Sequence, residues 1–183
     1  ATVGSVQKWR DIAISSDGVI RSAVVNIGYI WTSDDSGLTW YADASASPGK
    51  SWTSVAMSAD GTIRTATAYN QNLWNFNNDT GDWEENLTIG TTQNWWAIAM
   101  SSDGTKQTAV VDMGNIWISS DSGATWDEIV VGESRRWRGI SMSSDGVRQT
   151  VNATLSHIWT SSDSGASWTQ DTSVDGAPKV WSS

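Results

Sequence analysis

The 183-residue chain carries 20 acidic and 11 basic residues, for a net charge of −9, and it has no cysteine. This balance argues against nucleic acid or an anionic membrane as partner, because both require a basic footprint. Without cysteine, disulfides and thiol chemistry are excluded. No apolar run approaches the roughly 18 residues of a membrane-spanning helix.

Tryptophan is abundant, with 14 residues, and twelve of them follow one repeat with steps of 43, 43 and 42 residues. Opening, middle and closing tryptophans mark each unit: Trp9, Trp52, Trp95 and Trp137; Trp31, Trp74, Trp117 and Trp159; Trp40, Trp83, Trp126 and Trp168. A period of about 40–50 residues with several short strands is typical of a β-propeller blade. We predict one all-β domain, a small propeller of four four-stranded antiparallel blades. The repeats span 9–51, 52–94, 95–136 and 137–180, and residues 181–183 begin a truncated fifth unit.

Each unit opens with a strand whose alternation is typical of a propeller's innermost strand. In blade three it predicts Trp95, Ala97 and Ala99 on one face, and Ile98 and Met100 on the other. An Asp-Gly pair follows in every unit, and this pair favours a two-residue type I′ hairpin. Strand two, a short variable loop, strand three, a second turn and strand four complete the unit.

The second turn reads S-x-D-x-G-x-[TS]-W at residues 33–40, 119–126 and 161–168. Blade two, at 76–83, keeps only the tryptophan and shifts the glycine by one, which predicts a different turn. The pattern resembles the Asp-box, or bacterial neuraminidase repeat, of propellers such as sialidases, sortilin-type receptors and photosystem assembly factors. The resemblance implies a structural turn, as the chemistry does, because Asp and Ser oxygens accept backbone N–H bonds and glycine supplies positive φ. A Ca²⁺ loop is the alternative, but it has too few oxygen ligands.

Sialidases of the resembling family use an arginine triad and a tyrosine nucleophile with a glutamate partner. The three tyrosines and four glutamates here match no such arrangement, so the resemblance is to a non-sialidase member. Most aspartates belong to turns, and we predict a protein that is not an enzyme. A glycoside hydrolase with paired carboxylates is the remote alternative.

A four-stranded meander places the Asp-Gly turns and the boxes on one side of the disc, the turn face. The irregular loops lie on the other side, the loop face, where binding residues usually occur. An aromatic ring beside guanidinium and amide groups suits a sugar, so we predict lectin-like glycan binding without a metal or cofactor. The alternative is that these side chains pack against loops or offset nearby acids, and that the single histidine has no role. The candidate contacts are Trp96, Tyr29, Tyr69, Arg135, Arg136, Arg138 and His157.

A segment at the C-terminus, Lys179-Val180-Trp181, repeats the opening phase of the unit. Trp181 could pack on blade one and close a four-bladed ring, or it could leave an edge that pairs with the next molecule. The second function hypothesis is therefore a structural subunit of an extracellular polymer, with copies of itself as partners.

Three sequons at Asn78, Asn86 and Asn152 and a first residue other than Met predict a secreted, glycosylated protein.

Overall fold

The computed structural model describes residues 6–46 and 48–173. All regular elements in these ranges are β-strands, so none is a helix that could cross a membrane. Trp181 and the rest of 174–183 lie outside the described residues, and the expectations placed on them stay predictions. The strands are β1 (Trp9–Ile14), β2 (Arg21–Gly28), β3 (Ile30–Ser33) and β4 (Tyr41–Asp43) in blade one; β5 (Lys50–Met57), β6 (Arg64–Gln71), β7 (Leu73–Asn77) and β8 (Asp82–Asn86) in blade two; β9 (Gln93–Met100), β10 (Gln107–Gly114), β11 (Ile116–Ser119) and β12 (Asp127–Ile129) in blade three; and β13 (Arg135–Met142), β14 (Gln149–Ala153), β15 (Ile158–Ser161) and β16 (Thr169–Gln170) in blade four.

The four meanders are joined into one antiparallel sheet because, in blades one to three, one edge of the second strand pairs with the innermost strands of two blades. Its first part pairs with its own innermost strand, and its end pairs with the innermost strand of the following blade. The crossing pairs are Asn26↔Ser51, Tyr69↔Asn94 and Asp112↔Arg136. The all-β propeller class predicted from the repeat is confirmed.

The predicted alternation of the innermost strand is wrong at its tryptophan. Trp95 clusters with Ile98 and Met100, whereas Ala97 packs in the neighbouring cluster. The cause is a β-bulge, since Val110 pairs with Ala97 but Val111 pairs with Trp95. One extra residue in a strand reverses the side-chain facing on either side of it.

The core consists of three clusters, each formed between neighbouring blades. In each, a fully buried aliphatic residue at the start of strand three packs near the opening tryptophan of the next blade, which is at most 1% exposed. The pairs are Ile30 with Trp52, Leu73 with Trp95, and Ile116 with Trp137. The opening and middle tryptophans of every blade also meet edge to face at 5.9–6.3 Å.

The boxes are closed by their own side chains. Asp35 accepts hydrogen bonds from the Thr39 N–H (2.8 Å) and hydroxyl (2.5 Å), and Ser33 Oγ accepts from the Gly37 N–H at 2.9 Å. Asp121 and Asp163 repeat this arrangement. The Thr39 and Ser167 hydrogen bonds lower the pKa of Asp35 and of Asp163 to about 2. These aspartates serve as turn acceptors.

Blade two has a different turn, as its sequence predicts. The strands continue to the pair Asn77↔Asp82, and the Gly81 N–H donates to the Asn77 carbonyl at 2.9 Å. Without the box glycine, the buried Trp83 Nε1 has no partner among the described residues, whereas Trp126 Nε1 donates to the Gly123 carbonyl.

Within residues 6–46 and 48–173, the blades form an open arc. The innermost strands pack in order, β1 on β5, β5 on β9 and β9 on β13, but no comparable contact joins β1 to β13 in the described part of the chain.

Candidate binding cleft on the loop face

The residue after each opening tryptophan is the bulged one. In β1, for example, Trp9 pairs with Val25 and Asp11 pairs with Val24, which leaves Arg10 between them. A bulge redirects one side chain out of the strand's alternation. The four bulged residues are Arg10, Thr53, Trp96 and Arg138.

Three of these bulged residues border one cleft of about 250 Å³, which we call the loop-face cleft. Tyr69, which is 40% exposed, comes from the end of β6. The cleft combines three aromatic side chains, of which Trp52 is fully buried, with a guanidinium, an amide and hydroxyls. Its lining residues are Arg10, Asn26, Ser51, Trp52, Thr53, Tyr69 and Trp96.

The Trp96 ring is held by Arg138. The Arg138 guanidinium carbon lies 4.0 Å from the centre of a Trp96 ring, which is cation–π distance. Arg138 Nη2 forms an ion pair with buried Asp112 at 3.0 Å, and its Nε donates to Thr154 Oγ1 at 3.1 Å. Arg138 therefore positions the aromatic wall of the cleft and does not line it.

Arg135 is engaged in the fold of blade four. Its guanidinium lies 4.7 Å from the ring centre of Trp159, and it donates to the carbonyls of Val131 and Glu133. Lys50 occupies the equivalent position in blade two, 4.6 Å from the Trp74 ring. The cation two residues before an opening tryptophan thus packs over the middle tryptophan of the same blade.

The other sequence candidates do not line the cleft. Arg136 is exposed, while Tyr29 and His157 are half-buried beside the start of strand three. At the same position in blades two and three, Asn72 and Asn115 donate to Glu85 and Glu128 of strand four. No group of three potential metal-binding side chains occurs among residues 6–46 and 48–173.

Sequence reasoning missed Arg10 and Asn26. Arg10 stands at the same repeat position as Trp96, and that equivalence was the available signal. It also missed a second bulge, where strand two changes partner and one residue takes positive φ. These residues are Ile27 (58°), Asn70 (55°) and Met113 (60°). Leu155, at the same repeat position after the end of β14, also has positive φ (55°).

The glycine after the second bulge accepts a hydrogen bond from a buried tryptophan of the next blade. The carbonyls of Gly28 and Gly114 accept from Trp52 Nε1 and Trp137 Nε1 at 3.1 Å. A Cβ at Gly114 would lie 2.5 Å from Val111 Cγ1, so a side chain is not accommodated there. Blade two has Gln71 instead, and buried Trp95 Nε1 has no partner among the described residues.

The three sequons differ in accessibility. Asn78 is exposed and Asn152 is half-buried. Asn86 is 8% exposed, and its Nδ2 donates to the Gly123 carbonyl at 2.6 Å. A glycan on Asn86 is incompatible with this packing.

No protein-family model matches the sequence, and no curated protein is similar enough to be a relative. Solved structures share the fold at low identity. A GH74 enzyme of Niastella koreensis is 20% identical with a TM-score of 0.70, over 93% of this chain and 25% of that one. The GH74 xyloglucanase of Xanthomonas campestris gives 15% and 0.62, over 80% and 26%. YCF48 bound to a D1 peptide gives 18% and 0.67, over 95% and 56%. The chain spans about a quarter of the GH74 enzymes and just over half of YCF48.

Proposed function

We propose that this chain is a non-catalytic, secreted binding module that holds a glycan in the loop-face cleft. The observation that carries the proposal is the composition of the cleft. Trp96 and Tyr69 offer ring faces for the apolar side of a sugar, and Arg10 and Asn26 offer donors for its hydroxyls.

The size of the cleft limits the ligand. Small-molecule sites usually enclose about 300–1,000 Å³, whereas this one holds about 250 Å³. It suits one sugar ring, with the rest of a saccharide lying outside. A single contact of this kind predicts weak binding unless several sites act together.

Pre-positioning supports the assignment of Trp96. Its ring is held by Arg138, so little side-chain entropy is lost when a ligand stacks on it. The strand residues of the cleft also belong to a continuous antiparallel sheet, which provides a rigid support.

The aspartates support the non-catalytic part of the proposal. Asp17, Asp60, Asp103 and Asp145 each accept a serine hydroxyl in the hairpin turns, which lowers their pKa. Carboxylates used in this way are not matched to an acid–base role near neutral pH.

A glycan array followed by titration with the best ligand tests this proposal, with xyloglucan oligosaccharides as the first defined probe because one similar structure is a xyloglucanase. Trp96→Ala should weaken binding at least about fivefold, from roughly 1 kcal/mol of lost ring contact. Tyr69→Ala should also weaken it. Tyr41→Ala is the matched control, since Tyr41 is similarly exposed (46%) but outside the cleft.

Glycan binding that survives both cleft substitutions would place the site elsewhere. No binding to any glycan on the array would reject the function itself.

A structural role in an assembly of copies is the second candidate. A separate observation favours it. Trp9 and Ile12 on blade one are exposed, whereas most of their equivalents in the other blades are buried.

A further inference from the structure

The two ends of the blade arc present the two halves of a contact that already occurs three times inside the chain. We define the front face of blade one by Trp9, Ile12, Ile14 and Trp40, and the rear face of blade four by Arg148, Thr150, Ile158 and Thr160. We propose that the rear face of one copy packs on the front face of a second copy, in the register of the internal blade contacts.

The front face is apolar and open. Trp9 is 45% exposed, although the opening tryptophans of the other blades are at most 1% exposed. Ile12 is 61% exposed, whereas its equivalents Val55 and Ile98 are 4% and 6% exposed and Ile140 is half-buried. A groove of about 410 Å³ lies between Trp9, Ile12 and Trp40. Within the chain, the equivalent face is covered by the rear face of the preceding blade.

The rear face of blade four is open in the same way. Thr150 is exposed, whereas the residues at the same repeat position are fully buried against the next blade: Ser22, Thr65 and Thr108. Ile158 is half-buried, although its equivalents Ile30, Leu73 and Ile116 are at 0%. Thr65 and Thr108 form hydrogen bonds across the blade contact, to Gln107 and Gln149.

A backbone ladder on the turn face also ends open on both sides. The N–H of Ser16 donates to the Ala59 carbonyl, Ala59 to Ser102, and Ser102 to Ser144, each at 2.7 Å. No described residue donates a backbone N–H to the Ser16 carbonyl, and none accepts the Ser144 N–H through its backbone carbonyl. Ser144 of one copy and Ser16 of another would add one more step.

Charge favours the same register. Lys106 on the rear of blade three reaches blade four, where its Nζ donates to the Asp145 carbonyl at 3.0 Å. The Ser143 hydroxyl and the Val147 N–H lower the pKa of Asp145, and the Lys106 charge adds to this effect. Arg148 and Asp17 stand at the equivalent positions on the two open faces, and both are exposed. The contact would therefore place a guanidinium beside a carboxylate.

Such a contact joins different surfaces of identical chains, so it closes into a ring or continues as a filament. Both forms contain the proposed interface. The inference rests on the assembly function and does not depend on glycan binding in the loop-face cleft.

Cysteine cross-linking tests the register, and the chain has no native cysteine to interfere. Backbone groups 2.7 Å apart bring the two Cα atoms into the roughly 4.4–6.8 Å range of a disulfide. A mixture of Ser16→Cys protein and Ser144→Cys protein should form an interchain disulfide, whereas either variant alone should form much less. Ala59→Cys/Ser102→Cys in one chain is the matched control and should form an intrachain disulfide.

Light scattering after size exclusion provides the second measurement. The native chain should exceed its 19.8 kDa monomer mass in a concentration-dependent manner. Ile12→Asp should reduce the mass to that of the monomer without unfolding the chain. Leu38→Asp should leave it unchanged, because residue 38 and its equivalents Ala124 and Ala166 are exposed in every blade that carries a box.

Each outcome either supports or contradicts the proposed interface. Association with a specific interchain disulfide between positions 16 and 144 supports the interface. Association without that disulfide contradicts the interface but leaves the assembly function standing, through another edge. A monomer at every concentration contradicts both. An intrachain disulfide in the Ser16→Cys/Ser144→Cys double variant also contradicts the interface, because it shows that the chain closes on itself.

Discussion

Ile116 and Ile158 provide a test of the inter-blade core with the same side chain in two environments. Both begin the third strand of a blade, but Ile116 is fully buried near Trp137, whereas Ile158 is half-buried on the rear face of blade four. Replacing a buried isoleucine by alanine costs about 2–5 kcal/mol, and the lower part of the range applies where the site can relax or is exposed. On this basis we expect Ile116→Ala to cost about 3–4 kcal/mol. Ile158→Ala should fall below the range for buried sites, at about 1–2 kcal/mol, because a half-buried side chain loses less contact and leaves no closed cavity.

Denaturant unfolding at a concentration where the chain is monomeric measures both costs. In thermal unfolding, 1 kcal/mol corresponds to about 2–4 °C for a domain of this size, so the variants should differ by several degrees. Leu73→Ala, at the same position in blade two and fully buried, is the control and should resemble Ile116→Ala. Equal costs for Ile116→Ala and Ile158→Ala in the monomer would refute the reasoning, because the rear face of blade four would then be covered.

The other predictions concern pH and one buried amide. The folded pKa of Asp35 and Asp163 is about 2, below the usual 3.8, so their contribution to stability is present above about pH 4 and is lost as the pH falls towards 2. Denaturant midpoints measured across that range should fall, and the slope should decrease in Asp163→Asn; a midpoint that begins to fall near pH 6 would contradict this. Asn86→Ala should cost about 1–3 kcal/mol, because it removes hydrogen bonds to Gly123 and Thr88. Asn78→Ala is the control and should cost less, at most about 1 kcal/mol, because the one hydrogen bond it removes, to the Thr62 carbonyl, is exposed. Equal unfolding midpoints would reject the role of Asn86.

The repeat made most of the fold predictable. The spacing of the tryptophans predicts the blades, and the Asp-Gly pairs locate the first hairpins, because both signals are local and recur four times. The predicted two-residue type I′ geometry is wrong, since only the glycine of each pair has positive φ and Ser15 and Ile20 enclose a four-residue loop. The bulges at Trp96 and Met113 were not predictable. The bulge at Trp96 lies where the innermost strand shifts register against strand two. The bulge at Met113 lies where strand two changes partner, so it depends on contacts with the next blade. Local alternation carries no record of such non-local pairing.

The candidate site was predicted in part. Trp96 and Tyr69 were chosen as loop-face aromatic residues, and the structure brings them together from blades two and three. Arg135 was chosen for its charge, but it packs over Trp159. The sequence does not show which cations already have an aromatic or carbonyl partner. The different roles of the three arginines are therefore visible only in the structure.

Asp112 connects the stability of the sheet with the loop-face cleft. It is 8% exposed and holds Arg138, which in turn packs on Trp96. Asp112→Asn leaves the Arg138 charge without its partner. Breaking a buried ion pair costs about 3–5 kcal/mol. The Arg138 side chain keeps 15% exposure and can turn to water, so we expect a smaller cost of roughly 1–2 kcal/mol.

The released Trp96 ring should then bind a saccharide less tightly, although Asp112 does not line the cleft. Titration should show weaker binding in Asp112→Asn and no additional loss in the Trp96→Ala background, whereas the exposed control Glu133→Gln should change neither stability nor binding. A loss of stability with unchanged affinity would show that Arg138 does not position Trp96. Additive losses in the double variant would show that Asp112 acts on the ligand by another route, because two residues that act through one ring cannot each remove its full contribution.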